Sequence, residues 1–301
     1  MRRFLIDTDT ASDDAVALVM ALRAPDVQIE AITLVAGNVS VDQGLQNALY
    51  TVELCEKQVP VYRGLAAPIL RPLGTAQDIH GTDGMGDIGL PLFGRKPAPG
   101  HALDSIRNTI NRYPGEITIV ALAPLTNIAL ALLLEPDLAS KVKECIIMGG
   151  TAQGIGNVNP VAEFNIWVDP EAAKIVFSSK MPITMVDWFI STEYATISHK
   201  EAEELRSIGT PLAQFCVDIQ RAHTDTKGFV IADPIAMAIA LDPSVATEIK
   251  PLYVDIETGS AISRGQTIID HLNFLKQPPN ANVVLAASHE KFFELLCKAV
   301  A

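Results

Sequence analysis

The chain has 301 residues, of which 49% are hydrophobic, and its 23 basic and 35 acidic residues give a formal net charge of −12. Because nucleic acid and anionic membranes are bound by basic surfaces, we do not expect a protein this acidic to bind either of them. The hydrophobic content is ample for one large core, so we expect a single domain over residues 1–301.

The cysteines and the N-terminus indicate a cellular compartment. Cys55, Cys145, Cys216 and Cys297 are widely spaced and form no C-x-x-C pair, which is typical of buried thiols rather than of a disulfide framework or a zinc site. Asp7 comes too early for the apolar region of a signal peptide. The apolar runs also end before the ~20 residues that cross a bilayer. We therefore expect a soluble, cytoplasmic protein.

Short β-rich runs alternate with runs of helical period. A strand at 3–9 is followed by a helix at 13–24, a strand at 27–37, a helix at 41–55 and a short strand at 59–64. Further along, strands at 116–122, 143–150 and 182–186 alternate with helices at 105–113, 126–135 and 169–178, and a helix is predicted over 211–224. This pattern predicts an α/β fold with a mainly parallel, Rossmann-like central sheet and helices on both faces.

Two long connections, at 63–100 and 149–168, begin near the carboxyl end of a predicted strand. Loops of this length inside a compact domain are usually either functional or disordered. Ligands of parallel sheets bind at the carboxyl ends of the strands. We therefore expect both connections to border a ligand site.

Four carboxylates, those of Asp7, Asp9, Asp13 and Asp14, lie where the first strand leads into the first helix. Ser12 is the predicted N-cap, and the helix dipole favours acids in the first turn by ~0.3–1 kcal/mol, so a structural role explains Asp13 and Asp14. That role does not explain Asp7 and Asp9, which point to the same side of an apolar strand. A hard cation with oxygen ligands would explain them.

Three classes of metal-linked protein use such a stretch. An EF-hand loop is excluded, because Ala11 replaces its third ligand and Ser12 its glycine. A phosphatase of the haloacid dehalogenase kind, with an aspartyl-phosphate at Asp7, fits Asp7 and Asp9 but requires threonine or valine at residue 11. The third class is a calcium-dependent hydrolase, in which the metal activates a water molecule.

The segment DTDTASDDAVAL resembles the D-x-D-x-x-x-D-D signature of the inosine-uridine nucleoside hydrolases. The resemblance continues in that family's order through VAGN (35–38), HGTDGMG (80–86), ALAPLTNIALAL (121–132), IIMGG (146–150), GNVNPVAEFNIWVDPEAA (156–173) and ADPIAMA (232–238). It covers at least residues 3–240, and its specific parts are the first motif and NPVAEFN. It implies the nucleoside hydrolase fold, a homodimer or homotetramer, and Ca²⁺-dependent hydrolysis of the N-glycosidic bond of ribonucleosides to ribose and free base.

The resemblance also implies roles for individual residues. The expected calcium ligands are Asp9, Asp14, Asp233 and the backbone carbonyl of Leu122, with Asp9 also the general base and Asp7 supporting the metal ligands. The expected ribose contacts are Asp13 at the 2′-hydroxyl, Asn38 at the 3′ side, and Asn157, Glu163 and Asn165 at the 5′ end. Unpaired buried polar groups cost ~1–3 kcal/mol, which favours a binding role for Glu163 and Asn165, whereas Asn157 alone fits a turn equally well.

The chain departs from the family at residue 232. Many members carry a histidine there that protonates the leaving base, and purine-specific members carry a tryptophan, but this chain has Ala232. The remaining candidates for the base pocket are His80, Gln220 and His223. Either histidine could donate the proton to the leaving base, or could instead lie exposed at the protein surface. Gln220 could hydrogen-bond a pyrimidine, and Trp188 could line the pocket or lie in the core. Ala232 also favours a second function, a riboside-binding protein with weak or no turnover.

Overall fold

The computed structural model describes residues 1–301. Its strands are β1 (Arg2–Thr8), β2 (Val27–Leu34), β3 (Val61–Arg63), β4 (Ile117–Ala121), β5 (Glu144–Met148), β6 (Ile183–Val186), β7 (Thr196–Ser198), β8 (Gly228–Val230), β9 (Ala246–Leu252), β10 (Val254–Ile256), β11 (Thr267–Ile269) and β12 (Ala281–Ala287). Its helices are α1 (Ser12–Arg23), α2 (Val41–Leu54), α3 (Gln77–His80), α4 (Ala102–Arg112), α5 (Thr126–Leu134), α6 (Leu138–Lys141), α7 (Phe164–Val168), α8 (Pro170–Phe177), α9 (Trp188–Tyr194), α10 (His199–Ser207), α11 (Pro211–Asp218), α12 (Ala232–Leu241) and α13 (His289–Val300), with a 3₁₀ turn at Pro243–Val245.

Eight strands form the central sheet in the order β3-β2-β1-β4-β5-β6-β12-β9. All neighbours are parallel except β12 and β9, which are antiparallel. This confirms the predicted α/β fold with its mainly parallel sheet. The strand order reverses between β1 and β4, and such a reversal opens a crevice at the carboxyl ends of the strands, where ligands bind.

Helices cover both faces of the sheet, which explains why its central strands carry apolar side chains on both faces. Along β1, Phe4 and Ile6 enter the core beneath α1, α2, α12 and α13, whereas Leu5 enters the core beneath α4, α5 and α8. A parallel strand buried on both faces has no polar side, so it appears in the sequence as a continuous hydrophobic run.

The helix predicted over 211–224 is wrong in its second half. Helix α11 ends at Asp218, and residues 219–223 form turns. There the Gln220 side-chain amide donates to the carbonyl of Cys216 at 3.3 Å, and the Thr224 hydroxyl donates to the carbonyl of Gln220 at 2.9 Å. Side chains that satisfy the terminal carbonyls in this way replace the main-chain bonds that would extend the helix. Gln220 and His223 therefore lie on a turn.

Ser12 is not the N-cap of α1, contrary to the prediction. Ala11 occupies that position, and the side chain of Asp14 accepts the N–H of Ala11 at 2.9 Å. The Ser12 hydroxyl instead bonds Nδ1 of His80 at 2.8 Å. The first turn of α1 is thus stabilised by Asp14, while Ser12 connects α1 to α3.

Cys55, Cys145 and Cys216 are buried, as predicted, and Cys297 is partly buried. No helix combines the length and apolar character needed to span a bilayer.

Candidate active site

The chain turns sharply between β1 and α1. Thr10 has a φ of 28°, an uncommon backbone angle for a β-branched residue. Its N–H donates to the hydroxyl oxygen of Thr8 at 3.0 Å, and the two hydroxyls lie 2.9 Å apart. Strained backbone of this kind concentrates at functional sites, and here it places Asp9 at the carboxyl end of β1.

Two glycines provide the space that Asp9 occupies. A Cβ on Gly37 would lie 2.0 Å from Oδ2 of Asp9, and a Cβ on Gly44 would lie 2.4 Å from its carbonyl oxygen. The backbone N–H of Asn38 donates to Oδ2, and the Asn38 amide reaches Oδ1 at 3.4 Å. Close backbone approach and the Asn38 bonds therefore fix the Asp9 carboxylate.

Three further carboxylates meet at the same edge of the sheet. One oxygen of each of Asp13, Asp14 and Asp233 lies within 4.8 Å of the others, and all three are buried. They belong to the first turns of α1 and α12, where the helix dipole favours negative charge. Asp14 lies close to both Asp9 and Asp233, and its Oδ1 accepts the Thr8 hydroxyl at 2.6 Å.

The acidic cluster has no compensating charge from the chain. Burial, reinforced by the neighbouring carboxylates, raises the pKa of Asp9 and Asp233 well above the ordinary value and that of Asp14 to about 7. Its one ion-pair contact is between Asp13 and Nδ1 of His80 at 3.8 Å, and no lysine or arginine contacts the cluster. Buried, oxygen-only donors with uncompensated charge fit a hard divalent cation.

A cavity of about 730 Å³ opens beside the cluster. The predicted ribose-binding residues all line it: Asp13, Asn38, Asn157, Glu163 and Asn165. Leu122 also lines it at the end of β4, and its carbonyl accepts the Asn165 amide at 3.2 Å. The structure thus brings the predicted metal and ribose residues to one place, although Asp9 and Asp14 lie behind the cavity wall.

Glu163 caps the short helix α7 with both carboxylate oxygens. Oε1 accepts the N–H of Asn165 at 2.8 Å, and Oε2 accepts those of Gly150 at 3.0 Å and Ile166 at 3.2 Å. Burial raises the pKa of Glu163 to about 7, although these bonds oppose the shift. Glu163 therefore holds the end of the 149–168 connection against the cavity.

Two histidines, His80 and His223, line the cavity together with Trp188 and Ala232. The ring centroids of His80 and His223 are 5.5 Å apart in an edge-on arrangement. His80 is bonded to Ser12, whereas neither ring nitrogen of His223 has a hydrogen-bond partner. Trp188 is partly buried at the cavity wall rather than in the core.

Gln220 does not line the cavity, so its predicted contact with a pyrimidine is wrong. Its side chain is fully buried, and its amide donates to the carbonyls of Ser12 at 3.0 Å and Cys216 at 3.3 Å. The amide is therefore used to join α11 to the start of α1.

Asp7 also lies outside the cavity. Its Oδ1 accepts the Thr33 hydroxyl at 2.5 Å and the Asn127 amide at 2.8 Å, and its side chain is fully buried. A nucleophile must reach its substrate, so the phosphatase interpretation is wrong. Asp7 is linked to the site through the main chain, because its carbonyl accepts the N–H of Leu122 at 2.8 Å.

Sequence reasoning missed several cavity residues. Thr192 and Glu193 come from α9, and Asp225, Lys227 and Phe229 come from the segment just before α12. Helix α9 follows the carboxyl end of β6, so the rule that located the acidic cluster could have found Thr192 and Glu193. For residues 225–229, the feature of the sequence that could have indicated a place at the cavity is their proximity in the chain to Asp233.

Comparison with known proteins agrees with this geometry. The profile of the inosine-uridine preferring nucleoside hydrolase family matches residues 4–294. The pyrimidine-specific ribonucleoside hydrolase RihA of Salmonella schwarzengrund (strain CVM19633) is 37% identical over 303 aligned positions, which cover 98% of this chain and 96% of the relative.

Solved structures show the same similarity. A plant nucleoside hydrolase, PpNRh1, superposes with a TM-score of 0.93 at 32% identity, covering 100% of this chain and 99% of that chain. A purine-preferring ribonucleoside hydrolase from Gardnerella vaginalis superposes with a TM-score of 0.92 at 29% identity, covering 99% and 98%. Fold, site and relatives together define a nucleosidase. The chain belongs to the inosine-uridine preferring nucleoside hydrolase family.

Proposed function

We propose that the chain hydrolyses the N-glycosidic bond of ribonucleosides with the help of one Ca²⁺ ion. The observation that carries the proposal is the buried, uncompensated acidic cluster beside a cavity large enough for a nucleoside. The proposed ligands are the carboxylates of Asp9, Asp14 and Asp233 and the carbonyl of Leu122. Calcium held by these groups would lower the pKa of a water molecule that it coordinates.

Asp9 is proposed as the general base. Its Oδ2 accepts the N–H of Asn38, whereas the only hydrogen bond donated to Oδ1 is the longer one of 3.4 Å from the Asn38 amide. Oδ1 is therefore the atom more available to take a proton from the attacking water. Cleavage builds positive charge on the ribose ring, and the surrounding carboxylates stabilise that charge more in the transition state than in the bound substrate.

Ribose recognition is proposed for the polar residues on the same side of the cavity. Asp13 would accept the 2′-hydroxyl, Asn38 would bind the 3′ side, and Asn157, Glu163 and Asn165 would hold the 5′ end. The support is that all five line the cavity. Asp7 is proposed to support the metal ligands, through its main-chain bond to Leu122.

The residues expected around the nucleoside base support only a partial assignment of roles. With Ala232 at the usual donor position, the leaving base would take its proton from His80 or His223. The relatives do not give a base preference, since RihA is named pyrimidine-specific and the Gardnerella enzyme purine-preferring. We therefore propose ribonucleosides as the substrate class without choosing between purines and pyrimidines.

Ribose release from inosine, uridine, cytidine and adenosine tests the proposal. Activity should require calcium and disappear on chelation. Asp14→Asn should lower kcat by about 100-fold or more, because it removes one proposed ligand charge. Asp104→Asn, at an exposed position on α4, is the matched control and should keep full activity. The absence of ribose release from all four nucleosides with calcium bound would refute the proposal.

Ala232 also supports a second candidate, a protein that binds ribosides with weak or no turnover. Without a donor at this position, an ordinary base would leave slowly. Calorimetry with ribose, run alongside the activity assay, separates the two functions. Calcium-dependent binding without hydrolysis would favour the second candidate.

We further propose that residues 1–301 form one nucleoside hydrolase domain that works in the cytoplasm as a homodimer or homotetramer. The support for an oligomer is a group of exposed apolar side chains within residues 262–275. They are Ile262, Ile268, Leu272, Phe274 and Leu275. Apolar groups of this kind commonly mark protein–protein contacts.

A further inference from the structure

His223 is a partly buried histidine whose two ring nitrogens make no hydrogen bond to the chain. Both ring nitrogens are shielded from solvent and lack a partner, although the ring lines the cavity. Unpartnered buried polar atoms are uncommon and costly, and they call for a specific explanation. At a cavity wall, that explanation is a ligand which supplies the missing partner.

Packing rather than hydrogen bonding holds the His223 ring. It meets the ring of His80 at 5.5 Å between centroids with an interplanar angle of 64°, and that of Phe229 at 6.3 Å with an angle of 85°. Edge-on aromatic contacts of this kind are favourable and orient a ring. The ring is thus held in place while neither nitrogen is bonded to the chain.

One ring nitrogen of His80 is already engaged by the chain. Its Nδ1 is bonded to the Ser12 hydroxyl at 2.8 Å and lies 3.8 Å from Oδ1 of Asp13, which is on the proposed ribose side. His223 has neither restraint and comes from the turn before β8 and α12. Ala232, which begins α12, contributes only a methyl group to the wall of the same cavity.

We infer that His223 is the catalytic residue that protonates the leaving base, in place of the side chain that position 232 lacks. The inference rests on the proposed function. As the C1′–N bond breaks, its electron pair passes to the base, and the proton on a His223 nitrogen moves to a ring nitrogen or carbonyl oxygen of the base. His223 is left neutral and regains a proton from solvent after the base departs.

The electrostatic surroundings set the acidity of the His223 ring. Burial and the neighbouring His80 lower the pKa of His223, whereas Asp13 and the nearby backbone of Val230 oppose the shift. A lower pKa leaves a smaller fraction of the rings protonated at neutral pH, but it makes each protonated ring a stronger acid toward a weakly basic leaving group.

The test compares substrates that differ only in how much the leaving group needs a proton. Inosine and uridine need one, whereas 4-nitrophenyl riboside releases a stable phenolate without it. His223→Phe keeps an aromatic ring against Phe229 and removes the nitrogens. We expect kcat/KM to fall about 100-fold for the nucleosides and to stay within about 3-fold for the nitrophenyl riboside. His101→Asn, which preserves an N-cap on α4 outside the cavity, should leave both values unchanged.

Restoring a histidine at position 232 adds a second criterion. In His223→Phe, adding Ala232→His should recover nucleoside hydrolysis at least about 10-fold. No recovery in a variant that still cleaves the nitrophenyl riboside would overturn the inference. So would equal losses on both kinds of substrate, or a selective loss in His80→Phe but not in His223→Phe. By contrast, a wild-type chain that cleaves neither kind of substrate would refute the proposed function itself.

Discussion

Replacing Gly37 with alanine should disable the site through a single methyl group. The new Cβ would lie 2.0 Å from Oδ2 of Asp9, whereas ordinary contact begins at 3.4 Å, a shortfall of 1.4 Å. The same Cβ would also lie 2.8 Å from Cδ of Pro124, so any shift of the loop must relieve two close contacts at once. Misplacing a reacting group by ~1 Å can cost about 100-fold in rate. We expect kcat to fall by about that factor and calcium to bind more weakly.

The assay is ribose release from inosine or uridine over a range of calcium concentrations, with thermal unfolding to confirm folding. Gly259→Ala is the matched control, because its Cβ would meet only Oε1 of Glu257, at 3.4 Å. This control should behave as wild type. If Gly37→Ala kept both wild-type kcat and wild-type calcium affinity, the position of Asp9 would not matter, and the reasoning would be refuted.

Three further predictions concern stability and assembly. Burial raises the pKa of Asp14 to about 7, so the metal-free protein is stabilised below the unfolded-state pKa of ~4 and loses that stability as pH rises through 7. The gain in Tm that calcium gives over EDTA should therefore be larger at about pH 8 than at about pH 5. An equal gain at both pH values would contradict this. Glu163→Gln leaves one acceptor oxygen for three N–H groups. The free energy of unfolding should therefore fall by ~1 kcal/mol, and KM for nucleosides should rise. Unchanged denaturation and kinetics would argue against this role of Glu163. Phe274→Asp should lower the particle mass measured by sedimentation, whereas Leu133→Asp, at another exposed position, should not. An unchanged mass in both variants would exclude the apolar side chains within residues 262–275 from the contact between subunits.

Much of the fold was predictable because the central strands are short, rich in apolar residues and separated by longer runs of helical period. The antiparallel strand β9 was not predicted, because it pairs only with β12 at the sheet edge and most of its side chains are exposed. An edge strand of this kind lacks the hydrophobic run that identifies a buried one. The position of β9 in the sheet depends on its pairing with β12, which begins about thirty residues further along the chain.

The candidate site was predictable to different degrees on its two sides. Asp9 and Asp14 lie close together in the chain, so local structure is enough to associate them, and the family resemblance added Asp233. Gln220 was misplaced because its position depends on where α11 ends, which is decided by side chains bonding to backbone carbonyls. Periodicity carries no information about that competition.

The acidic cluster is assembled from distant parts of the chain, since Asp9 and Asp233 meet only when α12 packs against α1. Asp9 directly follows the first strand, and Asp233 lies beyond three-quarters of the sequence. Catalytic turnover therefore reports on nearly the whole chain at once. For anyone selecting variants of this protein, a colour change from a chromogenic riboside would double as a screen for correct folding, because a chain that misassembles either half would give no signal.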